Sequence, residues 1–200
     1  LGPFGGDDFD IGQAMLYAAG LPNDSGEVPA KPADVINLSL GGPGFSAFLA
    51  DVVDDVRAAG TIVVAAAGNE SSSTPSYPAA LSGVVSVSAV NIEREPAFYT
   101  NFGVTIDVAA PGGDTRRDRN GDGFPDGVLS THIDETGGER FVSRFLQGTS
   151  MAAPHVAGVF ALMRSVNPAL SPQDIDNLLA SGVLTDDLGA VGRDNFYGHG

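Results

Sequence analysis

An α/β domain built on a parallel sheet is the fold class this sequence predicts, and three observations carry it. Residues 61–66, Thr-Ile-Val-Val-Ala-Ala, are apolar without alternation, as expected of a strand covered on both faces. Short β-rich runs alternate along the chain with segments of helical spacing. No compositional break or linker divides the 200 residues, so one domain is expected, large enough to bury a core.

The elements follow in order. Ile11, Met15 and Ala18 recur at helical spacing over residues 9–19, and Gly20 can end that helix. A loop rich in Pro, Gly and Asp runs to Pro32, and residues 35–40, Val-Ile-Asn-Leu-Ser-Leu, read as a strand stopped by Gly41-Gly42-Pro43. A second helix is expected over 46–59, with Leu49, Val52, Val53 and Val56 on one face. Strands are expected at 61–66, 84–90 and 105–109, and a strand-like segment precedes His132, itself placed in a loop. Helices close the chain at 149–166 and 171–181; the last has Ser171 to cap it, Pro172 in its first turn and Gly182 at its end.

Composition removes several function classes. The net charge of −15 opposes binding to nucleic acid, whose phosphates would repel the chain. No apolar run reaches the length of a membrane span, so no membrane partner is expected. The absence of cysteine excludes disulfides, thiolate nucleophiles and thiolate zinc sites.

Chemistry gathers at residues 148–158, Gly-Thr-Ser-Met-Ala-Ala-Pro-His-Val-Ala-Gly. Ser150 sits where a glycine-permitted turn enters an alanine-rich helix. Unpaired N–H groups and the positive end of the helix dipole would stabilise negative charge developing beside it, which suits a serine attacking a carbonyl. Asn69, in Ala-Gly-Asn-Glu at the end of the apolar strand, falls on the sheet rim where α/β sites form. By itself such an Asn also fits a turn cap.

The 148–158 run closely resembles the nucleophile signature of the subtilisin-like serine proteases, the subtilases, and the resemblance extends over nearly the whole chain. It implies the three-layer parallel-sheet subtilisin-like fold. It also implies that Ser150 is the nucleophile and that Asn69 joins the Ser150 N–H in an oxyanion hole. Ser39, Leu40, Gly41 and Gly42 match the family's substrate-cleft strand, whose backbone pairs with an extended polypeptide substrate. Ala66, Ala67 and Gly68 would form the other wall, open to a large apolar residue, although close strand packing also explains such small side chains. Tyr77-Pro78-Ala79 matches a turn with a cis-proline, and residues 109–112 match a loop of the fold. Secretion is the location the family implies.

One departure matters. The family places an Asp in an Asp-Thr/Ser-Gly motif and a His in a His-Gly-Thr motif before the serine; neither motif occurs here. The chain is therefore expected to be a large C-terminal portion of a catalytic domain, incomplete at its N-terminal side and silent alone. Its missing N-terminal part would be its partner. The strand at 35–40 would then present an open edge, inviting self-association. A peptide-binding pseudo-protease is the alternative. His155 follows Ser150 by about 7.5 Å of helical rise and is expected to be structural; His132 and His199 offer no base.

Residues 118–126 carry a separate signal. Asp118, Asn120, Asp122, the carbonyl of Phe124 and Asp126 fall at positions 1, 3, 5, 7 and 9 of a calcium-type loop, with Gly123 at position 6. Leu129 stands where the bidentate Glu would be. Structural calcium is expected at millimolar concentrations, and an exposed Asp/Gly turn fits the same residues.

Overall fold

The computed structural model describes residues 6–133 and 141–200. Helix α1 (Asp8–Ala18) starts where the Asp7 carboxylate accepts the Asp10 N–H at 2.8 Å, and α2 (Ala47–Ala58) where Ser46 Oγ accepts from Leu49. Four parallel strands stand side by side in the order β1 (Val35–Leu38), β2 (Ile62–Ala66), β3 (Val84–Val90), β4 (Val108–Pro111). An antiparallel hairpin, β5 (Val128–Ile133) and β6 (Phe141–Leu146), precedes α3 (Thr149–Val166) and α4 (Pro172–Ala180). A capping box between Ser171 and Asp174 opens α4, with Pro172 in its first turn.

The pleat of β2 explains its unbroken apolar sequence. Ile62, Val64 and Ala66 pack with Ala152, Ala153, Val156 and Phe160 of α3 and Ile175 of α4. Val63 and Ala65 turn the other way, onto Met15 of α1 and Leu49, Val52 and Val53 of α2. A strand between two helical layers has no face left for a polar residue. Alanines on the inner face of α3 let that long helix lie close to the sheet.

The expected helices and the strand at 84–90 stand within a residue or so of where the sequence places them. Three expectations are corrected. The strand expected at 105–109 begins at Val108, because Gly103 adopts a φ of +129° and the Ile106 N–H returns to its carbonyl in a turn. Strand β1 ends at Leu38, before Ser39 and Leu40. His132 lies not in a loop but within β5, opposite Val142. The hairpin partner β6 was not expected, since neither of its strands buries a continuous apolar face.

Among the described strands β1 pairs only with β2, leaving its outer edge open as the sequence reading expects. At the opposite side of the sheet the chain's last residues lie along β4: His199 N–H donates to Asp107 O at 2.8 Å, and Ala109 N–H to Gly200 O at 3.1 Å.

If the α3–sheet layer is the main source of stability, Phe160→Ala lowers unfolding free energy by about 3–5 kcal/mol. Val166→Ala, on the exposed outer face of the same helix, changes it by under about 0.5 kcal/mol. Urea denaturation measures both, and equal effects would contradict the assignment of the core.

Candidate active site

The carboxyl ends of β1 and β2 and the first turn of α3 meet at one rim of the sheet. Gly148 precedes α3 with a φ of +144°, a conformation side chains rarely adopt. That turn sends the chain abruptly into the helix and sets Ser150 in its first turn. The Thr149 N–H and the Met151 N–H find acceptors in Asn69 Oδ1 and Gly148 O, at 2.8 and 2.9 Å. The Ser150 N–H between them has no acceptor among the described residues and stays available.

Asn69 is held by one end of its amide. Its Oδ1 accepts from Thr149 N–H and, at 3.0 Å, from Thr149 Oγ1. The Thr149 hydroxyl, fully buried, also accepts the Gly68 N–H at 3.2 Å. With Oδ1 committed, Nδ2 is the free end. The point where a Cβ would stand on Gly148 lies 3.6 Å from Asn69 Oδ1, 3.7 Å from Asn69 Nδ2 and 3.7 Å from Ser150 N. The whole amide and the Ser150 N–H thus border one small space beside Gly148, and with Oδ1 engaged by Thr149 the donors left for it are Nδ2 and the Ser150 N–H.

Two buried side chains fix the backbone around this space. Asn101 donates from Nδ2 to Ala67 O (2.9 Å) and Glu70 Oε2 (2.8 Å), and its Oδ1 accepts from Glu70 and Ser72 N–H. Glu70 Oε2 in turn accepts the Asn69 N–H at 2.9 Å. The loop carrying Asn69 is therefore clamped from both ends. Tyr99 Oη accepts the Gly148 N–H at 3.0 Å and donates to Gly113 O at 2.8 Å. Burial pushes this phenol up to about 12, so it remains a neutral donor.

The expected cleft residues separate into two groups. Ser39 touches Ser150: Ser150 Oγ donates to Ser39 O at 3.3 Å, and Ser39 Oγ donates to Ser150 O at 2.8 Å. Leu40 is half-buried and Gly41 exposed, while Gly42 exchanges backbone hydrogen bonds with Tyr77, whose bond to Pro78 is cis. Across from them, Gly68 has Asn101 Nδ2 where a Cβ would stand. Ala66 belongs elsewhere, since the pleat turns its side chain into the core under α3, and Ala67 is also buried. The packing explanation of a small side chain thus accounts for the Ala66 methyl group.

Among the described residues no histidine is hydrogen-bonded to Ser150. His155 Nδ1 lies 2.7 Å from Met151 O on its own helix. His132 is in the hairpin, and His199 sits by Asp107 at the amino ends of the strands.

The loop at 118–126 is closed by its own amides. Asp118 accepts from Gly121 and Gly123, Asn120 from Asp122, and Asp122 from Phe124. Asp126 is buried; its Oδ2 accepts the Arg119 N–H, and its Oδ1 has no partner among the described residues. Among the described residues no three His, Asp or Glu side chains gather closely enough to hold a metal ion. No step below depends on a metal. No helix of the described residues is long and apolar enough to cross a membrane.

Thr149, Asn101 and Tyr99 escaped the sequence reading. Thr149 was within reach, as the middle of Gly-Thr-Ser. Asn101 and Tyr99 act across gaps of 31 and 49 residues, which no local pattern reveals.

The comparisons with known proteins bear on family and fold. An extracellular protease of Xanthomonas campestris is 40% identical over 185 residues, covering 90% of this chain and 29% of that protein. Subtilisin DY of Bacillus licheniformis is 39% identical over 171 residues, covering 84% of this chain and 54% of its own length. A solved protease structure from Pseudoalteromonas arctica superimposes with a TM-score of 0.82 at 39% identity, over 91% of this chain and 53% of that one. The chain thus spans from under a third to about half of these relatives. The subtilase family profile matches residues 2–200, and the chain belongs to that family.

Proposed function

We propose that this chain carries the nucleophile and oxyanion hole of a serine endopeptidase that acts outside the cell. The observation that supports it best is the shared space bordered by Asn69 Nδ2 and Ser150 N–H next to the Ser150 hydroxyl. In this reading an extended polypeptide lies along Ser39–Gly42 and pairs with its backbone. Ser150 Oγ forms a bond to the scissile carbonyl carbon while its proton passes to a base. The carbonyl oxygen takes the electron pair and is held by the two donors. Collapse expels the amine, which takes the proton from that base, and leaves an acyl-serine that water hydrolyses.

The base and its orienting carboxylate come, in this proposal, from chain outside residues 1–200. The reasons are that none of the three histidines is hydrogen-bonded to Ser150 among the described residues, and the share of each relative that this chain spans. The same outside segment would cover the open edge of β1 and the exposed apolar outer face of α3, where Val159, Leu162 and Val166 stand. Extracellular location rests on the names of the Xanthomonas relative and an extracellular basic protease of Dichelobacter nodosus.

In the parent protein Ser150→Ala abolishes hydrolysis of a fluorogenic peptide. Asn69→Ala lowers kcat by about 10²–10³ with little change in KM, the range found when subtilisin loses a donor of this kind. The isolated 200 residues bind peptide without turning it over. Vigorous hydrolysis by that isolated chain, lost on Ser150→Ala, would overturn the external base. Full activity of the parent Ser150→Ala variant would overturn the nucleophile. In sedimentation velocity the isolated chain self-associates through its uncovered surfaces; a strict monomer at all concentrations would count against an unsatisfied edge.

A further inference from the structure

Helix α3 contains a proline, and its position has a chemical consequence. Pro154 has no N–H, and it stands four residues after Ser150. An α-helix satisfies the carbonyl of residue i with the N–H of residue i+4, so Pro154 withdraws the donor due to Ser150 O. The nucleophile's own carbonyl is thereby left open within the first turn. Buried or half-buried carbonyls find partners, and here the partner comes from another element: Ser39 Oγ donates to Ser150 O at 2.8 Å. Ser39 Oγ is itself aimed, because Asn37 Nδ2 donates to it at 2.9 Å and so leaves its proton for the helix. Returning the contact, Ser150 Oγ donates to Ser39 O at 3.3 Å.

We infer that Ser39 is a positioning residue for the nucleophile, its hydroxyl replacing the helical hydrogen bond that Pro154 removes from Ser150. The inference rests on the proposed role of Ser150 and extends it. It gives Pro154 a purpose, since an ordinary residue there would close the helix upon itself and release Ser150 from the substrate-facing strand. With the proline, the backbone expected to pair with substrate and the residue expected to attack it are tied by reciprocal contacts. Ser39 acts through Ser150, not on substrate, so its loss should fall on kcat while KM, set by the backbone of Ser39–Gly42, is preserved.

The test is a double-mutant cycle in the parent protein, with a peptide substrate and with a fluorophosphonate that labels the reactive serine. Ser39→Ala lowers kcat and the labelling rate by about two- to tenfold, the worth of one hydrogen bond, and leaves KM within about twofold. In a Pro154→Ala background, where residue 154 can again donate to Ser150 O, the same Ser39→Ala change costs less than about twofold. Equal losses in both backgrounds would overturn the inference, as would a Ser39→Ala variant with unchanged kcat. A loss confined to thermal stability, or one falling on KM alone, would also overturn it. Parent protein that neither hydrolyses peptide nor labels at Ser150 would overturn the functional proposal itself, an outcome separate from these.

Discussion

The contact on which this site depends is the one between the Asn69 amide and Thr149. It joins the end of β2 to the start of α3, two segments 80 residues apart in the chain. By engaging Oδ1 with an N–H and a hydroxyl, Thr149 decides which end of the amide faces the space beside Ser150. An Asn free to rotate would present either its donor or its acceptor, and only the donor stabilises negative charge. The work of orientation is done in the folded state before any ligand arrives, which is what electrostatic preorganisation requires.

Everything around that contact resists its displacement. Asn101 and Glu70 fix the loop from one side, and Tyr99 holds the Gly148 turn from the other. Beneath them, Val64 and Ala66 pack on the alanines and Phe160 of α3. A shift of α3 relative to β2 would therefore break hydrogen bonds and open voids in the core together. Such coupling between packing and site geometry explains why a helix with little side-chain capping at its N-terminus still holds its first turn in place.

Much of this was legible in the sequence, for physical reasons. The double burial of β2 is written in the unalternating run at 61–66, and Ser171 with Pro172 marks the start of α4. Ser150 and Asn69 could be singled out because a glycine turn before a helix and an amide after a buried strand are local patterns. What stayed hidden depends on distance along the chain. Asn101 and Tyr99 look like ordinary loop residues until the fold brings them to Ala67 and Gly148. Strand β6, the hairpin partner of the strand-like segment before His132, is not legible because apolar residues such as Phe141 stay exposed and give no burial pattern to read. Ala66 was assigned to a cleft wall by resemblance, but the pleat of β2 points it at the core. The acidic loop at 118–126 has calcium-like spacing, and several of its side-chain oxygens accept from the loop's own backbone amides.

The central claim is that Asn69 Nδ2 and Ser150 N–H grip a single developing oxyanion. A crystal structure of the parent protein with a peptide aldehyde bound to Ser150 Oγ measures this directly. The account predicts the hemiacetal oxygen within about 2.7–3.1 Å of both nitrogens, with Asn69 Oδ1 still on Thr149. An oxygen turned to solvent, or an Asn69 amide rotated to face it with Oδ1, would contradict the account.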